Sequence, residues 1–165
     1  MKAAVYTNYG SPDVLQLRDI KTPAPNDNEL LIRVFATTVN RTDCAMLRAK
    51  SFIMRFFTGL LKPKSPILGT DFAGQVEGVG KNITSFKVGD KVFGFDDQGL
   101  ESHAQCMTIS KEKAIAVMPQ NISYEQAAAS TEGVHYAYNF INKVTIKRGQ
   151  NILVNGATGA IGSAL

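Results

Sequence analysis

The sequence NILVNGATGAIG occupies residues 151–162 and decides how the second half of this chain is interpreted. Ile152, Leu153 and Val154 form a short, unbroken apolar run, which is typical of a fully buried parallel strand. The glycine-rich turn that follows lets the backbone bend sharply and approach an anion closely. A strand that leads into such a turn predicts a phosphate-binding site at the start of a helix. The alternative is an ordinary strand-to-helix connection, since a glycine-rich turn alone is a weak signal.

The turn fits most of a GxGxxG pattern. Gly159 and Gly162 hold its last two positions, and Ala157 stands at the first, directly after Gly156. A dinucleotide site normally continues to a second strand that contacts the ribose about 20 residues further on, so we expect only the opening of a nucleotide-binding domain here. The candidate cofactor-binding residues of the turn are Gly156, Ala157, Thr158, Gly159, Ala160, Ile161 and Gly162.

The composition bounds the class of protein. The chain has 165 residues, of which 44% are hydrophobic, and this is enough for a packed core. The net charge of +4 is spread without runs, which disfavours nucleic acid as a partner. With neither a signal-peptide core nor a membrane-length apolar stretch, we expect a cytoplasmic protein without a membrane partner. The only cysteines, Cys44 and Cys106, form no disulfide framework or four-cysteine zinc site, and Cys44 is expected to be buried.

Residues 1–122 are predicted to form a mainly β domain with a few helices. Several short strands at close spacing predict a β-barrel, and the glycines of residues 69–80 predict bends in it. The predicted strands cover residues 2–6, with 14–17 pairing back, 30–36, 72–79, 86–93 as two short strands about a Gly-Asp turn, and 104–109.

Helical patterns interrupt and follow these strands. Thr42 or Asp43 is predicted to cap a short helix, and Ser123 with Gln126 forms a capping box. A further helix is predicted at residues 131–142, and the second domain at residues 123–165. A helix at 51–61 is expected to pack its apolar face on the barrel or a partner domain, to cover a substrate pocket, or to contact a membrane. That face comprises Ile53, Phe56, Phe57, Leu60 and Leu61.

Motifs along the whole chain resemble the medium-chain dehydrogenase/reductase superfamily, and within it the zinc-free quinone oxidoreductase branch. They are MKA at 1–3, VNRTD at 39–43, PILGTDFAG at 66–74, VGDKV at 88–92 and GATGAIG at 156–162. The resemblance implies a GroES-like β-barrel catalytic domain followed by the first strand and glycine-rich turn of a truncated α/β Rossmann domain. It also implies NADP(H) as cofactor, with NAD(H) not excluded, a small-molecule quinone, enone or carbonyl substrate, and a homodimer in the full-length protein.

Two residues argue against a catalytic zinc ion. Zinc-containing relatives carry a cysteine where this chain has Asn40, and a histidine where it has Thr70. Neither an amide nor a hydroxyl readily replaces a thiolate or an imidazole on zinc. We therefore predict no metal ligands and a zinc-independent reaction.

Asn40 and Thr42 are the candidate catalytic residues. Hydride transfer belongs to the cofactor, so the protein must mainly hold the reactants and stabilise developing charge. The resemblance implies that Asn40 lines the cleft for nicotinamide and substrate, although its side chain can instead fix its own turn, and Thr42 can be only a cap. His135 stands where many relatives have a threonine that meets the nicotinamide, but it can instead pack among aromatic rings; His103 is expected to be structural.

The resemblance thus implies NADPH-dependent reduction of a quinone, enone or carbonyl compound, and we expect this 165-residue chain to be inactive alone. Two alternatives remain, a β-barrel interaction module and a truncated form without activity. Residues 152–154 lack neighbouring strands in the sequence, so we expect this segment to fray or to associate with another molecule.

Overall fold

The computed structural model describes residues 1–50 and 52–165, without the side chains of Phe52, Met54 and Phe57. The strands and helices within these residues follow the predicted mainly β order. The strands are β1 (Lys2–Val5), β2 (Gln16–Asp19), β3 (Glu29–Ala36), β4 (Asp71–Val79), β5 (Lys91–Phe95), β6 (Cys106–Ser110) and β7 (Ala114–Val117). The helices are α1 (Arg41–Arg48), α2 (Phe52–Thr58), α3 (Tyr124–Ala129) and α4 (Thr131–Ile141).

Five strands form one antiparallel sheet in the order β6-β3-β4-β5-β7. Strands β1 and β2 form a separate antiparallel hairpin. Two isolated bridges connect this hairpin to the rest, Ala3 with Ala104 and Val5 with Ile67. Strand β1 therefore joins the hairpin to the segments that precede β4 and β6.

The short link between β6 and β7 shows that the sheet is strongly curled. These strands lie at opposite edges, which in a flat sheet of five strands are about 19 Å apart. Only residues 111–113 connect them, a link that spans at most about 14 Å, and Lys113 N donates to the Ser110 carbonyl at 3.0 Å in a tight turn. The ladders of the described residues do not pair β6 with β7. The expected barrel is therefore a curled, open sheet.

Two glycines permit this curvature. A Cβ atom on Gly74 would lie 2.2 Å from the Arg33 carbonyl oxygen on the neighbouring strand. A Cβ on Gly94 would lie 2.3 Å from the Ala114 carbonyl oxygen and 2.7 Å from the Phe72 ring. The bends predicted from the glycines between 69 and 80 thus have a direct physical cause at Gly74, where two backbones meet too closely for any side chain.

Alternation along the strands builds the core. Leu30 and Ile32 of β3 are fully buried, and they pack with Phe72 of β4 in one apolar cluster. Helix α3 lies against the same sheet through Ala127 and Ala128, because small side chains allow a close approach. No helix among the described residues is long and apolar enough to cross a membrane.

Several expectations need correction. Neither residues 152–154 nor residues 86–88 form a strand. The return strand of the hairpin is β2, two residues later than expected, because Pro12–Val14 forms a 3-10 turn. Strand β7 was not predicted from its short AIAV sequence.

The apolar helix and one cysteine also differ from expectation. Helix α2 ends at Thr58, before Pro63, and the described members of its apolar face are more than half exposed. Packing on the sheet is therefore wrong for those members, whereas the placement of Phe57 lies outside the described side chains. Packing on a partner domain, covering a substrate pocket and contact with a membrane stay predictions. Cys44 is exposed rather than buried, because the buried side of α1 carries Asp43 and Leu47. The members with measured exposure are Ile53, Phe56, Leu60 and Leu61.

Candidate functional site

A buried carboxylate, Asp71, is the centre of a polar cluster at the start of β4. Its side chain is 1% exposed. One carboxylate oxygen, Oδ2, accepts from Thr38 Oγ1 at 2.5 Å, from Asn40 Nδ2 at 3.0 Å and from Thr70 Oγ1 at 3.5 Å. The other, Oδ1, accepts from the Thr131 hydroxyl. Four neutral donors from three segments therefore satisfy this carboxylate, as a buried charge requires.

The backbone of Asp71 is held as well. Its carbonyl oxygen accepts hydrogen bonds from Thr37 Oγ1 at 2.8 Å and from Ser102 Oγ at 2.7 Å. Ser102 is 1% exposed, and its backbone packs against Gly69, where an added Cβ would lie 2.1 Å from Ser102 Oγ. Gly69 also has φ of +112°, a conformation that other residues adopt only with strain. The turn before β4 is thus fixed on both sides.

Asn40 is the N-cap of α1. Its Oδ1 accepts from Asp43 N at 3.0 Å, and its own N–H donates to Asp43 Oδ2 at 3.0 Å, which completes a capping box. The predicted cap at Thr42 or Asp43 is therefore wrong, because Asp43 is the reciprocal member three residues into the motif. The alternative that Asn40 fixes its own turn is correct, but Asn40 also reaches beyond it.

The side-chain amide of Asn40 uses all of its donor hydrogens but only part of its acceptor capacity. Its Nδ2 donates to Thr70 Oγ1 at 2.6 Å and to Asp71 Oδ2 at 3.0 Å, which uses both N–H hydrogens. Its Oδ1 accepts one hydrogen bond and has a second lone pair. In this arrangement Asn40 can offer a ligand an acceptor and no donor.

Asp43 connects α1 to the turn before β4. Its Oδ1 accepts from Gly69 N at 3.0 Å, and His103 Nε2 lies 3.9 Å from its Oδ2. The His103 ring contacts the Thr38 carbonyl at 2.8 Å, so this nitrogen carries the hydrogen and donates it. These contacts fit the structural role expected for His103.

The first turn of α4 brings a second carboxyl group to the cluster. Thr42 Oγ1 donates to Glu132 Oε1 at 3.3 Å. The pKa of Glu132 is raised, first by burial and then by the negative charges of Asp71, Asp43 and Asp97, while the Thr42 hydrogen bond opposes the rise. Thr42 therefore donates to a carboxyl group that holds its proton more strongly than an exposed glutamate does.

A cleft of about 690 Å³ lies beside Thr42. Its volume suits a small organic molecule. Tyr6 is among the lining residues, and the pKa of its hydroxyl rises to about 12 through burial and the neighbouring Tyr9 and Asp43. The structure places Thr42 in this cleft, with Asn40 two residues away at the helix cap. The other lining residues are Met46, Thr58, Lys64, Ser65, Ile67, Leu68, Asp97, Gln98, Gly99 and Glu101.

His135 does not share the cleft with Thr42. It is exposed one turn beyond Thr131 on α4, and its ring lies 5.5 Å from both Phe95 and Tyr136. It lines a separate, open recess of about 280 Å³ together with Thr131. Asn139 Nδ2 donates to His135 Nε2 at 3.0 Å, so Nδ1 carries the ring hydrogen when the imidazole is neutral. The expected packing among aromatic rings is present, but it covers only part of the ring.

The glycine-rich turn forms without the strand expected before it. Gly156 has φ of +79°, and its carbonyl oxygen accepts from Gly159 N at 2.9 Å. A Cβ on Gly162 would lie 2.2 Å from that same oxygen, so only glycine fits there. The backbone N–H groups of the exposed Ala157 and Thr158 donate to no described residue. These features fit a phosphate-binding backbone, and the N–H groups are the part that would hold the anion.

Comparison with known proteins assigns the chain. Residues 26–152 match the model of the alcohol dehydrogenase GroES-like domain. The chain is 33% identical to human quinone oxidoreductase, covering 99% of this chain and 48% of that protein. It is 32% identical to 2-methylene-furan-3-one reductase of Solanum lycopersicum, covering 99% of this chain and 42% of that protein.

This chain belongs to the medium-chain dehydrogenase/reductase superfamily, in the branch that resembles the quinone oxidoreductases. The Coxiella burnetii quinone oxidoreductase structure has 28% identity and a TM-score of 0.84, over 99% of this chain and 51% of that chain. The Escherichia coli quinone oxidoreductase complexed with NADPH has 28% identity and a TM-score of 0.71, over 87% and 41%. The chain spans about half the length of the curated relatives that it matches.

The two residues that replace zinc ligands of the superfamily contact each other, since Asn40 Nδ2 donates to Thr70 Oγ1. Among the described residues, no three His, Cys, Asp or Glu side chains converge as metal ligands. Zinc independence stays a prediction that rests on the chemistry of an amide and a hydroxyl.

Several residues of the cluster were not identified as site residues from the sequence. Asp71 had a usable signal, since a carboxylate at the start of an apolar strand must find several donors. Glu132 had no comparable signal. It lies 90 residues after Thr42, and only the packing of α4 brings the two together.

Proposed function

We propose that this chain is the catalytic part, with the start of the nucleotide-binding part, of an NADPH-dependent reductase of quinones or enones. The proposal is supported by the names of the relatives, a quinone oxidoreductase and a 2-methylene-furan-3-one reductase, and by the NADPH complex of a similar structure. A 2-methylene-furan-3-one is itself an enone. The observation that carries it is the position of Thr42 in a cleft large enough for such a substrate, beside the held amide of Asn40. A homodimer and a preference for NADPH over NADH are parts of the same proposal.

The residues have separate tasks in this reaction. NADPH, when bound, supplies the hydride. The N–H groups of Ala157 and Thr158 bind its pyrophosphate, and Asn40 Oδ1 accepts one hydrogen bond from a nicotinamide amide or a ribose hydroxyl. Thr42 donates a hydrogen bond to the substrate oxygen, where negative charge develops as the hydride is added. The Asp71 cluster holds Asn40 and the start of β4 in place, so that this polar edge of the cleft is preorganised.

We further propose that residues 1–165 bind NADPH poorly when alone. Only one glycine-rich turn is available to the pyrophosphate, and the apolar run before it forms no sheet and leaves Ile152 and Leu153 exposed. A loss of roughly 4 kcal/mol weakens a micromolar dissociation constant to the millimolar range. Calorimetric titration of NADPH into this chain tests the point, and saturable micromolar binding would contradict it.

Turnover is tested in the protein carrying the complete nucleotide-binding domain. NADPH oxidation is followed with 1,4-benzoquinone and with methyl vinyl ketone. We expect Thr42→Val to lower kcat/KM at least tenfold, and Thr42→Ser to retain most of it, because serine keeps the hydroxyl. Thr145→Val, at an exposed position outside the cleft, is the matched control. The absence of reduction of either compound by the unaltered protein would refute the proposed function.

A further inference from the structure

Thr42 lies between the cleft and a second carboxyl group. Its side chain lines the cleft, and its hydroxyl donates to Glu132 Oε1 at 3.3 Å. Glu132 itself does not line that cleft. Any proton that Glu132 exchanges with a molecule in the cleft along this contact therefore passes through Thr42.

The surroundings of Glu132 are acidic on several sides. Asp71 at the start of β4, Asp43 on α1 and Asp97 after β5 all act on it, and all raise its pKa in addition to burial. Tyr136, one turn further along α4, has its own pKa raised by burial, by Asp97 and by Glu132. No lysine, arginine or histidine is among the groups that shift the Glu132 pKa. The carboxyl group is thus surrounded by negative charge, which favours its protonated form.

We propose that Glu132 supplies the proton that Thr42 delivers to the reduced substrate, a role that rests on the proposed function. A hydride adds to the substrate carbon, and the π electrons move to the carbonyl oxygen. In this step Glu132 is protonated, so the hydrogen bond runs in the reverse direction, from the carboxyl O–H to Thr42 Oγ1, and the Thr42 hydrogen points to the substrate oxygen. The Thr42 O–H proton passes to that oxygen while the Glu132 carboxyl proton passes to Thr42 Oγ1. Water then returns a proton to Glu132, so each turnover consumes one hydride and one proton. Glu132 is a positioning residue for the proton, since Thr42 alone meets the substrate.

The coupling of the two side chains is measurable in this chain without cofactor. Carbon-13 NMR of labelled glutamate carboxyl groups gives the titration of Glu132 directly. We expect a pKa above the ordinary glutamate value, and Thr42→Val raises it further, because the Thr42 hydrogen bond stabilises the carboxylate. Thr42→Ser leaves it near the original value. Glu125 is the internal control, since hydrogen bonds from Ser123 and from its own backbone lower its pKa. A Glu132 titration that does not respond to Thr42→Val overturns the proposal.

The catalytic consequence is measured in the protein with its complete nucleotide-binding domain. We expect Glu132→Gln to lower kcat at least tenfold at pH 7, to leave KM within about twofold, and to remove one ionisation from the kcat profile. Glu125→Gln, on the exposed side of α3, keeps the original profile. If the unaltered protein reduces its substrates and Glu132→Gln has an unchanged pH profile, the proton route is wrong and the proposed function stands. If the unaltered protein reduces nothing, both fail.

Discussion

The cluster around Asp71 and the segment at residues 143–165 differ in how many of their side chains are buried and have partners within the chain. In the cluster, Thr70 and Asp71 are almost fully buried and their polar atoms have partners from several elements. In the C-terminal segment, Ile152 is 62% and Leu153 94% exposed, although both lie in an apolar run. The comparison teaches that an apolar run forms a strand only where neighbours pair with it.

Glycines at positive φ show the same contrast. A Cβ atom added to Gly69 would lie within 3 Å of atoms of Ser102 and His103. Gly149, with φ of +89°, has nothing within 4 Å of such a Cβ. A backbone conformation is therefore enforced by surrounding structure in the first region and only by local turn geometry in the second.

Among the variants considered for stability, the largest expected loss is at Asp71. Replacement by alanine leaves the hydroxyls of Thr38, Thr70 and Thr131 and the amide of Asn40 without their common acceptor. Because each unsatisfied buried group costs about 1–3 kcal/mol, we expect Asp71→Ala to lower the free energy of unfolding by about 3–5 kcal/mol. Urea denaturation followed by circular dichroism measures this loss.

Matched variants separate the cluster from a general charge effect. Asp71→Asn keeps an acceptor oxygen and is expected to cost about half as much as Asp71→Ala. Asp19, whose side chain is 78% exposed in a pair with Lys2, is the control, and Asp19→Ala should change the stability by about 0.5 kcal/mol or less. Similar losses for Asp71→Ala and Asp19→Ala would remove the distinction between the two regions.

The second effect concerns backbone strain at glycine. Gly69→Ala places a Cβ against Ser102 and demands a positive φ, so we expect a loss of about 1–3 kcal/mol. At Gly99, φ is +98° and no atom lies within 4 Å of an added Cβ. Gly99→Ala therefore introduces backbone strain without a steric clash and should lower the free energy of unfolding by less. Gly149→Ala should cost least, because its segment can rearrange locally.

Thermal unfolding of these three variants ranks them. The order Gly69, Gly99, Gly149 from largest to smallest loss supports an enforced turn before β4. An equal loss at Gly69 and Gly149 would mean that residues 143–165 are held as firmly as the cluster.

Much of the fold follows from the sequence, because alternation and capping are local. The strand predicted at residues 30–36 is present as β3, with Leu30 and Ile32 buried, and the capping box of Ser123 and Gln126 is formed as predicted. The family was identified from its motifs and is confirmed. The prediction of a strand at 152–154 was wrong, because a strand forms only when other strands pair with it, and the sequence of this run does not tell whether such strands are present.

The site was less accessible to sequence reasoning, because its contacts join distant residues. Asn40 was selected, yet its position as the cap and its committed N–H groups depend on Thr70 and Asp71, some 30 residues away. Thr42 was selected without its partner Glu132, and the roles of His135 and of the glycine-rich turn stay predictions. The domain boundary between residues 122 and 123 stays a prediction as well.

The third effect is a pH dependence of stability inside the cluster. Since folding raises the pKa of Glu132, the folded chain holds this proton more tightly than the unfolded chain. The resulting stabilisation is complete below the ordinary value of 4.5 and is lost as the pH rises through the raised pKa. Glu132→Gln cannot ionise, so we expect its melting temperature to exceed that of the unaltered chain at pH 7 and the difference to shrink towards pH 4. A difference that is the same at both values would contradict the raised pKa.

The smallest effect on stability is expected in the C-terminal segment. Leu153 is 94% exposed, so Leu153→Ala removes no buried surface and should change the free energy of unfolding by about 0.5 kcal/mol or less. Leu30→Ala, in the fully buried core of β3, is the matched control and should cost about 2–5 kcal/mol. Exposed apolar side chains favour association, so Leu153→Asp should reduce any concentration-dependent self-association seen by analytical ultracentrifugation, with the melting temperature unchanged. A clear loss of stability in Leu153→Ala would show that this leucine is buried in solution. The C-terminal segment would then not differ from the Asp71 cluster in the way that the exposure of Leu153 indicates.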